Sequence, residues 1–156
     1  MKTIYIETSV ISYLTARPSD NLLASAWQKA TVDWWETQRN RFSLYTSALV
    51  LEEAGRGDQT AAQKRLEVLS SIPLLETADE AVVLAQTFLE QGTLPAKALD
   101  DAIHIALAVA HEMVYFLTWN CRHIDNAEIK PLIRTLCMSK NLHFPEICTP
   151  QELMGA

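Results

Sequence analysis

Short strand-like runs alternate with longer segments of helical spacing along nearly the whole chain, and this alternation restricts the fold more than any other feature. Strands are predicted at Ile4–Glu7, Ser43–Ser47, Pro73–Glu76, Tyr115–Thr118 and Ile147–Thr149. Helices are predicted between them. The first is Leu22–Arg39, where Leu23, Ala26, Trp27, Ala30 and Trp34 fall near helical spacing; Ala48–Gly55, Ala61–Leu69, Ala78–Leu89, Lys97–His111 and Asn126–Lys140 follow. Gly92 and Pro95 stop the segment that ends at Leu89. Strands separated by helices imply a parallel sheet covered on both faces, an α/β fold.

At 156 residues the chain has room for one domain with a real core, so 1–156 is read as a single unit. With 49% hydrophobic and 21% charged residues it is unlike a disordered or repeat chain. The most apolar stretch, Ala102–Ala110, is broken by His104 and is far short of the ~20 residues a membrane span needs. Met1–Val10 lacks the pattern of a signal peptide, so the expected location is the cytoplasm, with no membrane contact. Cys121, Cys137 and Cys148 show no paired spacing and are expected to be reduced thiols. A net charge of −6 lacks the basic footprint of a protein that holds nucleic acid by backbone neutralisation alone. A phosphate-bearing substrate would need a metal ion or a local basic patch.

The acids carry the chemistry. Glu7 ends an apolar strand, and a carboxylate there must reach solvent, find donors or hold a cation, since an unpaired buried charge is very costly. Open sheets bind ligands beyond the carboxyl ends of their strands, where the strand order reverses. Glu7 and Asn120 stand at two such ends and converge if their strands are neighbours. In Leu99-Asp100-Asp101-Ala102-Ile103-His104, Asp101 shares a face with Ile105 and Ala108, whereas Asp100 lines up with His104 and His111 on a more polar stripe. Asp101 is thus the better inward carboxylate, although both acids also suit the positive end of a helix. From Leu49 the four-residue step reaches Glu53, which favours Glu53 over Glu52 as the inward residue; a solvated pair is the alternative. Asn120 alone also reads as a turn cap. Oxygen donors as a set suit Mg²⁺ or Mn²⁺ and not zinc.

Glu7-Thr8-Ser9-Val10 after Ile4-Tyr5-Ile6, then Ser47 to Glu53, then Asp101-Ala102-Ile103-His104-Ile105-Ala106, then Leu117-Thr118-Trp119-Asn120, together resemble the PIN-domain family and, within it, the VapC-like toxin ribonucleases. The resemblance implies a three-layer α/β/α sandwich with a central parallel sheet, and a nuclease site that uses Mg²⁺ or Mn²⁺ on RNA. It implies catalytic roles for Glu7, Glu53, Asp101 and Asn120, with Glu7, Asp101 and Glu53 as metal ligands. Thr8 and Ser9 would steady the first acid or contact phosphate, and Lys97, Arg122 and Arg56 are the nearest candidates for RNA contacts. Relatives of this kind usually pair with a small antitoxin protein and often form homodimers, for which Trp27, Trp34 and Trp35 offer apolar surface, although packing into the core explains at least two of them as well. Glu7 stands where the family pattern has aspartate, one methylene longer, and His123 stands where many members have a further aspartate. A second reading keeps the fold without the chemistry, as a PIN-like domain that binds RNA or protein without cleaving. Nucleotide binding is disfavoured, because the chain has neither a Gly-rich dinucleotide fingerprint nor a P-loop.

Overall fold

The computed structural model describes residues 1–91 and 93–155. Among them, five parallel strands form one sheet: β1 (Lys2–Ile6), β2 (Phe42–Ser47), β3 (Leu74–Leu75), β4 (Tyr115–Leu117) and β5 (Glu146–Cys148). Their order is β3-β2-β1-β4-β5. The chain steps outward from β1 through β2 to β3 and then crosses back to place β4 on the other side of β1. The strand order therefore reverses between β1 and β4, where Ile4, Tyr5 and Ile6 pair with Tyr115, Phe116 and Leu117. Ile4, Tyr5 and Ile6 are all fully buried, as expected of a central strand in a sheet covered on both faces.

Among the described residues, seven helices accompany the sheet: α1 (Thr8–Thr15), α2 (Leu22–Thr37), α3 (Ala48–Ala54), α4 (Gln59–Leu69), α5 (Asp79–Glu90), α6 (Leu99–Ala110) and α7 (Lys130–Ser139). Their starts follow side-chain chemistry. Asn21 accepts from Ala24 N–H at 3.0 Å, Ser47 from Val50 N–H at 3.3 Å and Asp58 from Ala61 N–H at 2.9 Å. Each such cap satisfies a backbone donor that the first helical turn leaves without a partner. Residues 102 and 104–109 of α6 are all buried, and the helix packs closely against α5.

Several boundaries differ from those read in the sequence. The strand expected at Pro73–Glu76 shortens to two residues, and the helix expected from Asn126 begins only at Lys130. Asn126 instead builds a turn, its side-chain oxygen accepting from Glu128 and Ile129 N–H. The largest omission is α1, whose eight residues carry four β-branched side chains at positions 8, 10, 11 and 15 and follow a strand directly. The stop read at Gly92 lies outside the described residues. No helix among the described residues is long and apolar enough to cross a membrane.

Candidate functional site

The strand-order reversal brings the acids together. β1 ends at Ile6, and Glu7 becomes the N-cap of α1, its backbone N–H donating to Leu117 O at 3.1 Å. The Glu7 side chain folds back over its own helix start. Oε1 accepts from Ser9 Oγ at 2.5 Å and from Thr118 Oγ1 at 2.6 Å, and Oε2 accepts from Ser9 N–H at 3.2 Å. Only 6% of Glu7 is exposed, so these donors, with the positive end of α1, replace the water it gives up. Of the three options open to a carboxylate at a strand end, Glu7 takes the second: it has donors.

Glu53 approaches from α3. Its Oε1 accepts from Thr8 Oγ1 at 2.5 Å and lies 2.7 Å from His104 Nε2 on α6, while Oε2 has no partner among the described residues. Thr8 therefore steadies Glu53 and Ser9 steadies Glu7. The inward choice of Glu53 over Glu52 holds, since Glu52 is exposed and pairs with Arg56 at 3.1 Å. Leu49, the residue that choice was stepped from, is only half-buried; Val50 and Ala54 are the buried positions of α3.

His104 corrects the reading of α6. It lies on no polar stripe: it is fully buried, with Nδ1 2.6 Å from Tyr5 Oη, which in turn lies 2.8 Å from Ser47 Oγ. A polar stripe requires a helix with one buried face, but α6 is enclosed nearly all round. The usable signal was a polar side chain within Ala102–Ala110, three residues from Asp101 and hence on its face. Among the described residues, Glu7, Glu53 and His104 form the one group whose ligand atoms all lie within 4.8 Å of one another.

Asp101, in the first turn of α6, lies outside that group and has a different set of partners. Oδ1 accepts from Asn120 Nδ2 at 3.3 Å and Oδ2 lies 3.2 Å from His123 Nδ1. Asn120 is occupied at both ends, its Oδ1 accepting from His123 N–H at 3.0 Å. Thr118 Oγ1 also accepts Asn120 N–H, and the Trp119 N–H donates to Ser9 Oγ, so the end of β4 is stitched to the start of α1. Trp119 is buried between, stacked on Trp27 at 4.7 Å between centroids and donating Nε1–H to Thr31.

Charge follows these contacts. Burial pushes the Glu53 carboxyl up, but the bonds from His104 and Thr8 outweigh it and hold its pKa below the ordinary range. Burial opposes the charged form of His104, yet Glu53, Glu7 and Asp101 around it raise its pKa above the usual imidazole value. Asp101 is raised, because burial exceeds the help it receives from His104 and His123. Asp125 is drawn away to Lys130 at 2.6 Å. Lys97 and Arg122 are exposed on the segments that carry Asp101 and Asn120, and neither forms an ion pair with another described residue. Trp34 is in the core, donating to Leu153 O at 3.1 Å, while Trp27 and Trp35 are half-buried.

The carboxylates fit a hard divalent cation: Glu7 and Glu53 converge, and Glu53 Oε2 is without a partner among the described residues.

A parallel α/β sheet with acids gathered at its switch point defines a class of protein, and sequence comparison names it. The family model described as PIN domain matches residues 4–129, and the chain belongs to that family. Among solved structures it is similar to a chain in the crystal structure of VapBC2 from Rickettsia felis bound to a DNA fragment from their promoter. That likeness has 15% identity and a TM-score of 0.59, covering 94% of this chain and 98% of that one, and it shows the fold. Comparison with curated protein sequences gives no match.

Proposed function

We propose that residues 1–156 form one PIN domain acting as a metal-dependent endoribonuclease, the toxin partner of a small antitoxin protein, in the cytoplasm and as a homodimer. The observation that supports this most is the convergence of Glu7 and Glu53 at the switch point of the sheet, with Asp101 near enough for Glu53 and His104 to act on its charge. Glu7, Glu53 and Asp101 would hold Mg²⁺ or Mn²⁺. Such an ion supplies a more acidic water and offsets the charge that develops on a phosphodiester.

The chain's own groups then do the positioning. Ser9 and Thr118 fix Glu7, and Thr8 fixes one oxygen of Glu53, so neither acid must reorganise on binding. Asn120 and His123 hold Asp101. Lys97 and Arg122 supply the local positive charge that an acidic protein needs to approach RNA, and Arg56, already paired with Glu52, is the weaker candidate. The antitoxin assignment draws on the likeness to the VapBC2 structure. The test is cleavage of single-stranded and structured RNA with Mg²⁺, with Mn²⁺ and with EDTA. Cleavage that needs the ion and stops in Asp101→Asn supports the reading; cleavage that persists in EDTA overturns it.

A binding-only role is the second reading, favoured by one feature: Glu53 and Asp101 each already have a histidine partner. It requires binding of RNA or a protein partner with no metal uptake, which calorimetry with millimolar Mn²⁺ distinguishes.

A further inference from the structure

Four buried or part-buried groups link the core of the sheet to Glu53. Val50 N–H donates to Ser47 Oγ, Ser47 Oγ contacts Tyr5 Oη, Tyr5 Oη contacts His104 Nδ1, and His104 Nε2 contacts Glu53 Oε1. Ser47, Tyr5 and His104 are each fully buried, so no water competes for these bonds.

The direction of the hydrogens follows from the two ends. A backbone N–H can only donate and an ionised carboxylate can only accept. With a neutral imidazole, Ser47 donates to Tyr5, Tyr5 donates to Nδ1 and Nε2–H donates to Glu53, and every hydrogen in the series has an acceptor. With an imidazolium the two inner bonds reverse, and the Ser47 hydrogen then lacks an acceptor among the described residues. Both states place a proton on Nε2. A nitrogen that carries a proton has no lone pair for a metal, although His104 lies within the 4.8 Å group with Glu7 and Glu53.

We propose that His104 is a positioning residue and not a metal ligand: its Nε2–H, aimed by the Ser47–Tyr5 series, fixes Glu53 Oε1 and leaves Oε2 to face the cation. Thr8 occupies the same Oε1 from the other side, so two donors hold one oxygen and none of the described residues holds the other. This role rests on the metal-dependent reading of the site. It also assigns a use to Tyr5, which lies in the strand that precedes Glu7 and has its hydroxyl in the core.

The test uses the full chain and three variants. Tyr5→Phe keeps the ring and removes the aiming hydroxyl, His104→Gln keeps a donor at the same reach, and His104→Ala removes it. Long-range proton–nitrogen NMR on the labelled wild type, assigned with His104→Gln, is expected to show the proton on Nε2 with and without Mg²⁺. Loss of that proton on adding Mg²⁺, or an unprotonated Nε2 at the start, overturns the proposal. Calorimetry is expected to show Mn²⁺ affinity about tenfold weaker in His104→Ala, a smaller loss in Tyr5→Phe and recovery in His104→Gln, the scale typical of groups that orient metal ligands. RNA cleavage should lose kcat with little change in KM. Wild-type affinity in a folded His104→Ala overturns the role of His104 while leaving the nuclease reading intact. If the wild type neither binds Mn²⁺ nor cleaves RNA, the nuclease reading fails and the cation-facing role fails with it, while the NMR result still decides whether His104 donates to Glu53.

Discussion

Thr118 Oγ1 donates to Glu7 Oε1 across 2.6 Å, joining the residue after β4 to the residue after β1 over 111 positions of sequence. The same oxygen accepts from Asn120 N–H at 2.9 Å, so one hydroxyl sets both the first acid and the loop that reaches Asp101.

Thr118→Val keeps the shape and removes that hydroxyl. It leaves the Asn120 N–H and a share of the Glu7 carboxylate short of a partner, and the expected loss is about 1–3 kcal/mol of unfolding free energy. Thr118→Ser should stay close to wild type. Urea denaturation checks both; a loss below about 0.5 kcal/mol for the valine variant, the level of an ordinary surface change, contradicts the assignment.

Glu7→Asp restores the residue of the family pattern, but the donors around it are set for the longer arm. Withdrawing the carboxylate by one methylene moves it away from Thr118 and Ser9 together, and metal sites are sensitive to shifts of about 1 Å. Metal-dependent cleavage is therefore expected to fall, by about tenfold, and not to rise. Kinetics of the variant at saturating Mn²⁺ measure this; a gain in kcat would show that the extra methylene is a handicap.

The Glu53–His104 pair should shape stability against pH. Glu53 has a depressed pKa, so its contribution is present above its ordinary value of 4.5 and is lost as pH falls through the lower, folded one. His104 is raised, so its contribution is complete below 6.5 and fades as pH rises through the higher, folded value. Asp101 is raised and works in the opposite sense, costing stability above the ordinary carboxylate range. Unfolding free energy measured from about pH 3 to pH 9 is expected to weaken at both ends, and both limbs should flatten in Glu53→Gln. Unchanged limbs in that variant would show that the pair does not carry them.

The thiols offer a separate check on the core. Burial pushes Cys137 up to about 11 and Cys148 up to about 12, whereas Cys121 is exposed beside Asn120. In the native protein near neutral pH, Ellman's reagent should find Cys121 alone, and the other two should react only on unfolding. Rapid reaction of all three would mean that β5 and α7 do not pack as described.

Much of this was legible in the sequence. Alternating strand and helix periods gave the parallel sheet, whereas the adjacency of β1 and β4 was only the condition under which Glu7 and Asn120 converge, and the strand order meets it. Glu53 was separable from Glu52 by helical spacing, whereas Asp101 was set apart from Asp100 by a polar stripe that the buried His104 removes, and both aspartates are half-buried. α1 was not legible, since Thr8, Val10 and Ile11 favour strands locally and tertiary packing overrides that preference. His104 was misplaced for a related reason: on a helix buried all round, spacing cannot show which buried position holds a partner for a polar group. Its partner, Glu53, is 51 residues away, and Tyr5 is 99 away. Such pairings become visible only once the sheet has brought three elements together.

The most direct measurement is the structure of a crystal soaked in Mn²⁺, with the ion located by its anomalous scattering. The expected result is a peak bonded to an oxygen of Glu7 and to Oε2 of Glu53, with His104 still donating to Oε1. An absence of any peak at saturating Mn²⁺, or an ion bonded to His104 Nε2, would contradict the account.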